Sequence, residues 1–296
     1  MEIIVAQNAG FCFGVEKAVE EVKSRIADAG NTDVFTFGEI VHNEAVVEDF
    51  AKKGVRVIDN ADDLQRAAGD SRAKGRDACV VIRAHGVGRD VYAGMESSGM
   101  RVIDATCPFV KRIHKIVREA GEQGHAVVVV GDASHPEVQG ITGWANGPVF
   151  VVETGKEADA LVFEADRPVT VVAQTTIRRQ KFEEIVEILI KKGYNVHIAD
   201  TICNATHVRQ EETKNIASSV DAMIVVGGAR SSNTRKLYEI SASVCKNTYL
   251  VQNAGDLKGV RLKDCAKVGI TAGASTPKNT IEEVLFYVRN GTGSDV

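Results

Sequence analysis

No hydrophobic run in this sequence is long enough to cross a bilayer. The longest strongly apolar stretch is Ala126–Val130, against the ~20 residues that a spanning helix needs. The opening "MEIIVAQNAG" has no basic n-region, and its polar residues break any apolar core of a signal peptide. A cytoplasmic protein is therefore expected. No block of lysine and arginine occurs, and the formal net charge of −4 opposes general nucleic-acid binding. Six cysteines are present without a single C-x-x-C pair. Local zinc-ribbon, thioredoxin-like and ferredoxin-like patterns are thereby excluded. In a reducing compartment disulfides are not expected either, which leaves metal binding, catalysis or plain burial.

What is present is the composition of an ordinary globular protein, 44% hydrophobic and 26% charged over 296 residues. That length suffices for two or three α/β units and a sizeable core. Short β-branched runs alternate with helical patterns almost throughout. Strands are predicted at Val34–Phe37, Cys79–Arg83, Val102–Asp104, Ala126–Val130, Val149–Val152, Val169–Ala173, Val196–Ala199, Met223–Val226, Tyr249–Val251 and Lys267–Ile270. Helical periodicity is clearest at Glu16–Ala27, Val110–Ala120 and Arg179–Lys191. The alternation predicts parallel α/β units. Leu64–Ala78 lacks strong periodicity and reads as a loop insertion, and the terminal "NGTGSDV" reads as a frayed tail.

A long-period repeat overlies this pattern. Cys12, Cys107 and Cys203 stand 95 and 96 residues apart, each between a strand run and a helical run. His42, His135 and Ser231 follow them by 30, 28 and 28 residues, and His85, Thr175 and Ser275 by 73, 68 and 72. Three units are expected: 1–106, 107–202 and 203–296, with the N-terminal strand a candidate to pack with the third. Ligands of parallel α/β sheets collect outside the carboxyl ends of the strands, where all these residues are expected. Three such units facing inward would bring three cysteines and six polar loops to one centre.

Cys107 precedes Pro108, a residue suited to the first position of a helix. A thiol at a helix N-terminus ionises more readily, and the thiolate is the form that binds metal. Three convergent thiolates could hold zinc or a [4Fe–4S] cluster with one coordination position open. Taken singly, a cysteine is more often a small buried hydrophobe, and Cys79, Cys245 and Cys265 are read that way. His42, His85 and His135, with Ser231, Ser232, Asn233 and Ser275, offer many donors and little fixed charge, which suits a phosphate or diphosphate. Gly227, Gly228 and Gly273 would let backbone N–H groups approach. "SSN" by itself would be a helix N-cap. Glu137 is the carboxylate nearest this set and could deliver a proton to a leaving hydroxyl. Thr175 could orient such a hydroxyl. Two other readings use the same parts: a non-redox metal-dependent hydrolase or hydro-lyase, and a cluster-bearing sensor that is no enzyme.

The motifs "GFCFGV", "VHN", "AHGV", "DATCP", "HPEV", "AQTT", "TICNATHVRQ", "SSNT" and "TAGAST", in this order from residue 1 to about 285, resemble the 4-hydroxy-3-methylbut-2-enyl diphosphate reductase family. The resemblance implies three similar α/β domains in a pseudo-threefold arrangement around a central iron–sulfur cluster. It implies a [4Fe–4S] cluster on Cys12, Cys107 and Cys203. The diphosphate would be surrounded by His42, His85, His135, Ser231, Ser232, Asn233 and Ser275, with Thr175 at the hydroxyl end and Glu137 as proton source. The implied reaction removes the hydroxyl with two electrons, giving isopentenyl and dimethylallyl diphosphate, and takes its electrons from a donor such as ferredoxin or flavodoxin. No nucleic acid or membrane partner is implied. Phe13 (commonly Ala in the family), Ser134 (commonly Gly) and "VQGI" for "VEGT" depart from the usual pattern without replacing a proposed ligand or acid.

Overall fold

The computed structural model describes residues 1–164 and 166–290. The expected tail lies outside the described residues except for Asn290. The chain begins with β1 (Glu2–Val5), α1 (Phe13–Ala27), β2 (Thr32–Phe37), α2 (Glu44–Lys52), β3 (Arg56–Ile58), α3 (Ala61–Ala73), β4 (Asp77–Ile82), α4 (Arg89–Ser97) and β5 (Arg101–Asp104). It continues through α5 (Pro108–Glu122), β6 (Ala126–Val130), α6 (Pro136–Thr142), β7 (Val149–Val152), α7 (Gly155–Ala160), β8 (Val169–Ala173), α8 (Arg179–Lys191) and β9 (Val196–Ile198). The last third comprises α9 (Asn204–Ala217), β10 (Ala222–Val226), α10 (Ser232–Val244), β11 (Thr248–Val251), a 3₁₀ turn at Ala254–Leu257, β12 (Lys267–Ala272) and α11 (Lys278–Asn290).

The strands form three four-stranded sheets in which every pairing is parallel. Their orders are β1-β12-β10-β11, β5-β4-β2-β3 and β9-β8-β6-β7, the same topology three times. The first sheet lies in a compact unit made of Met1–Glu16, Val41–Asp49 and the chain from Asn204 on. The other two lie in a second unit, Lys17–Ile40 with Phe50–Cys203. No described helix is long and apolar enough to cross a membrane.

Strands β6 and β10 are apolar at every position because both faces of their sheets are covered. In β6, Ala126, Val128 and Val130 pack with Phe182, Ile185 and Leu189 of α8. Val127 and Val129, pointing to the opposite face, pack with Ile113 and Val117 of α5 and Val138 and Ile141 of α6. β10 repeats this: Ile224 and Val226 meet Val284 and Val288 of α11, while Met223 and Val225 meet Leu237 of α10. Each fully buried valine or isoleucine contributes about 1.5–3 kcal/mol.

The loop insertion expected at Leu64–Ala78 is not one. Most of that stretch is α3, and Asp77 already belongs to β4. Asn60 caps the helix by accepting the Asp63 N–H at 2.9 Å. Leu64, Ala68 and Ser71 form its buried stripe. Only one of these three is a large apolar residue, so an i, i+4, i+7 stripe carried mostly by small side chains left little hydrophobic signal.

Candidate active site

β1, β5 and β9 are edge strands of their respective sheets, and each runs into a connection that ends in a cysteine. Cys12, Cys107 and Cys203 then stand directly before α1, α5 and α9. Each cysteine's backbone N–H donates to a carbonyl in the loop after the neighbouring strand. Cys12 reaches Ala274 at 3.4 Å, Cys107 reaches Ala84 at 3.0 Å, and Cys203 reaches Thr175 at 3.1 Å. The acceptors follow β12, β4 and β8, which occupy the same place in the three sheet orders. One corner is thus built three times. All three cysteines are half-buried and outside any disulfide. Cys79 and Cys245 are buried instead, and burial pushes the Cys79 thiol above its ordinary range.

In the first unit the carboxyl ends of β10 and β12 carry the predicted serines and asparagine. Ser231 is the N-cap of α10 and accepts the Thr234 N–H at 3.4 Å, so "SSN" does cap a helix. Ser232 and Asn233 occupy its first turn and are 8% and 4% exposed. Both carboxamide atoms of Asn233, Oδ1 and Nδ2, are buried and have no hydrogen-bond partner. An orphaned amide of this kind costs about 1–3 kcal/mol and is kept where a ligand supplies the partner. Ser275 Oγ donates to the His42 carbonyl at 3.4 Å. Gly228 approaches the same carbonyl so closely that a Cβ there would lie 2.5 Å from the oxygen.

In the second unit His135 caps α6, and its Nδ1 accepts the Glu137 N–H at 3.1 Å. That bond leaves Nδ1 without a proton, so Nε2 is the donor of the ring. The His85 ring meets His135 edge to face, with centroids 5.3 Å apart. Glu137 is 3% exposed. Its Oε1 accepts the Thr175 N–H at 2.6 Å and its Oε2 accepts the Thr175 hydroxyl at 2.7 Å. Burial pushes the carboxyl above its ordinary range, and the two bonds from Thr175 only partly oppose this. Thr175 therefore joins Glu137 through its side chain and Cys203 through its carbonyl. Such an arrangement can store a proton on a buried carboxyl and pass it through a hydroxyl.

Two residues here escaped the sequence reading. Gln174 is 1% exposed and accepts the Asp132 N–H at 3.2 Å, tying the loop of His135 to the end of β8. His114, in the buried stripe of α5, is 7% exposed and stacks on Trp144. Its place at the i+4 position after Val110 was the one available signal.

The model of the LytB protein family matches residues 3–289. The 4-hydroxy-3-methylbut-2-enyl diphosphate reductase of Caldanaerobacter subterraneus subsp. tengcongensis is 41% identical over 295 residues, covering 100% of this chain and 99% of the relative. That of Geotalea daltonii is 40% identical, covering 98% of each. Among solved structures, the Plasmodium falciparum E-1-hydroxy-2-methyl-but-2-enyl-4-diphosphate reductase is 27% identical and superposes with a TM-score of 0.89, over 98% of this chain and 88% of that one. A second, described as (E)-4-hydroxy-3-methyl-but-2-enyl diphosphate reductase, the terminal enzyme of the non-mevalonate pathway, is 36% identical with a TM-score of 0.67, over 98% of this chain and 99% of that one. With the family model and full-length relatives in agreement, the chain belongs to the LytB family and is an oxidoreductase.

Proposed function

We propose that the chain reduces (E)-4-hydroxy-3-methylbut-2-enyl diphosphate to isopentenyl and dimethylallyl diphosphate, with a [4Fe–4S] cluster on Cys12, Cys107 and Cys203. The observation that carries this reading is the corner repeated three times, with a half-buried cysteine outside any disulfide at each. Three thiolates would suit four irons with one left open, and among the described residues no fourth cysteine stands in an equivalent corner. When bound, the cluster would relay the donor's two electrons one at a time and would offer an open iron to the substrate's hydroxyl end. In balance, the substrate takes up two electrons and two protons, its C–O bond breaks, a C–H bond forms and water leaves. The electrons come from a donor protein such as ferredoxin or flavodoxin.

The chain's own residues hold the substrate and move the proton. Asn233 offers its unpartnered carboxamide to the diphosphate, with Ser231, Ser232 and Ser275 beside it and the positive end of α10 behind them. His135 presents Nε2–H, and His42 and His85 complete the set. Burial favours the protonated form of Glu137. With the proton on Oε2, the 2.7 Å bond runs from Glu137 to Thr175, and the threonine hydroxyl turns its own hydrogen outward to the substrate oxygen. Proton loss reverses that bond. The reading is tested by Mössbauer spectroscopy of the anaerobic, iron-57-labelled chain with and without substrate. One distinct iron whose signal moves on addition of substrate is expected. Reconstituted protein without a cluster overturns the metal assignment, and a cluster indifferent to substrate overturns the reaction.

A further inference from the structure

We propose that His114 is a positioning residue: its ring, stacked on Trp144, is the wedge that sets the loop of His85 against the helix of His135 and Glu137. This rests on the reading above, in which those residues meet substrate.

The geometry converges on one ring. His114 stacks on Trp144 with centroids 5.6 Å apart and planes 19° from parallel. Trp144 in turn donates its indole N–H to the Val87 carbonyl at 2.8 Å, two residues beyond His85. Between them lies Gly86, with φ +72°, where a Cβ would come within 2.7 Å of His114 Cε1 and 2.9 Å of Thr106 Cγ2. Only glycine suits both that dihedral angle and that approach. From α6, Gly140 packs on the same ring, a Cβ there lying 3.5 Å from Nε2. One turn further, Gly88 and Gly143 touch backbone to backbone, and Arg89 N–H donates to the Gly143 carbonyl at 3.3 Å. So the loop 84–89 and α6 are seamed together by glycines, with His114 filling the gap in the seam. The ring also lies on α5, the helix that starts at Cys107, whose N–H holds Ala84.

A ring shape, rather than a hydrogen bond, does this. Nε2 is buried without a partner. Burial lowers the His114 pKa to about 4, with Asp104 opposing and Lys111 assisting, so the ring is neutral at pH 7. On its far side the stack borders a cavity of about 360 Å³. Truncating the ring would enlarge that cavity and free the loop to drift. A misplacement of about 1 Å can cost about 100-fold in an oriented site.

The test compares His114→Phe with His114→Ala in the reconstituted enzyme. Trp144 is the chain's single tryptophan, so its fluorescence reports the stack directly. His114→Ala is expected to shift Trp144 emission, raise KM about tenfold or more, lower kcat less, and leave the iron content and Mössbauer spectrum of the cluster unchanged. His114→Phe keeps a flat ring and is expected to hold KM within about twofold of wild type. Gly86→Ala should raise KM, and its effect should not add to that of His114→Ala, because both break one contact. An unchanged KM in His114→Ala, with Trp144 emission shifted, overturns the proposal, as does a KM loss in His114→Phe equal to that in His114→Ala. His85→Ala serves as the reference: if it leaves KM unchanged, the substrate-binding reading fails instead.

Discussion

Two carboxylates of the second unit, Glu137 and Asp33, are both withdrawn from solvent, and they end up on opposite sides of their ordinary range. Glu137, beyond the carboxyl end of β6, is 3% exposed and has only the amide and hydroxyl of Thr175 as donors. Among the described residues no cation contributes to its pKa, and burial carries it upward. Asp33, near the amino end of β2, is also raised by burial, but Ser71, Arg76 and Arg56 more than reverse that. Ser71 Oγ donates to it at 2.7 Å, as does Arg76 Nε at 2.7 Å, and Arg56 stands at 3.1 Å. A partly buried carboxylate whose charge is compensated in this way is part of the scaffold. One left uncompensated costs stability and is retained for what its proton can do.

The sharpest way to break this contrast is Glu137→Gln. Turnover should fall at least ~100-fold, the scale of a lost general acid, with iron content unchanged. The same variant should be more stable than wild type, increasingly so as pH rises. Between the unfolded value of about 4.3 and the raised folded one, the native chain holds more protons than the unfolded chain. Wild-type stability therefore declines with pH across that window, and glutamine removes the decline. Thermal melts from pH 5 to 8 decide it: parallel curves for the two proteins would mean that Glu137 is not raised by burial.

A smaller effect is expected at Asn233, the first unit's counterpart of an uncompensated polar group. Asn233→Leu should raise KM about 10- to 100-fold, the loss of hydrogen bonds to a charged ligand. The melting temperature should be unchanged or higher, because the unpartnered amide disappears. A drop in stability with KM intact would return Asn233 to the scaffold.

The same division governs how much the sequence reveals. Strands such as Ala126–Val130 and Ala222–Val226 are legible because burial on both faces leaves no polar position to obscure them. The cysteine corners are legible because the topology repeats and the spacing repeats with it. The short edge-side strand β3 and the helix α3 are not, since Arg56 and Val57 are exposed and α3 buries little more than Leu64, Ala68 and Ser71. Glu137 could be proposed from its neighbours, but its union with the amide and hydroxyl of Thr175 joins residues 38 apart in sequence. The role of His114 depends on two glycines at 86 and 140, and nothing in either stretch announces that they meet one ring.

The smallest effect is expected at Asp33, and it tests the scaffold half of the contrast. Asp33→Asn removes a carboxylate whose folded pKa lies below its unfolded value of about 3.9. Such a group contributes stability fully present above the unfolded value and lost as pH falls through the folded one. The variant should therefore melt about 2 °C lower at pH 7, on the order of 1 kcal/mol for a half-screened network of this size. The gap should narrow as pH falls through the lowered folded value, where the wild-type carboxylate also becomes protonated. KM and kcat should stay at wild-type values, since Asp33 stands at the end of its sheet opposite the loops that carry the candidate residues. Loss of activity without loss of stability would show that compensation at Asp33 serves the site rather than the scaffold, and the division between the two ends would fail.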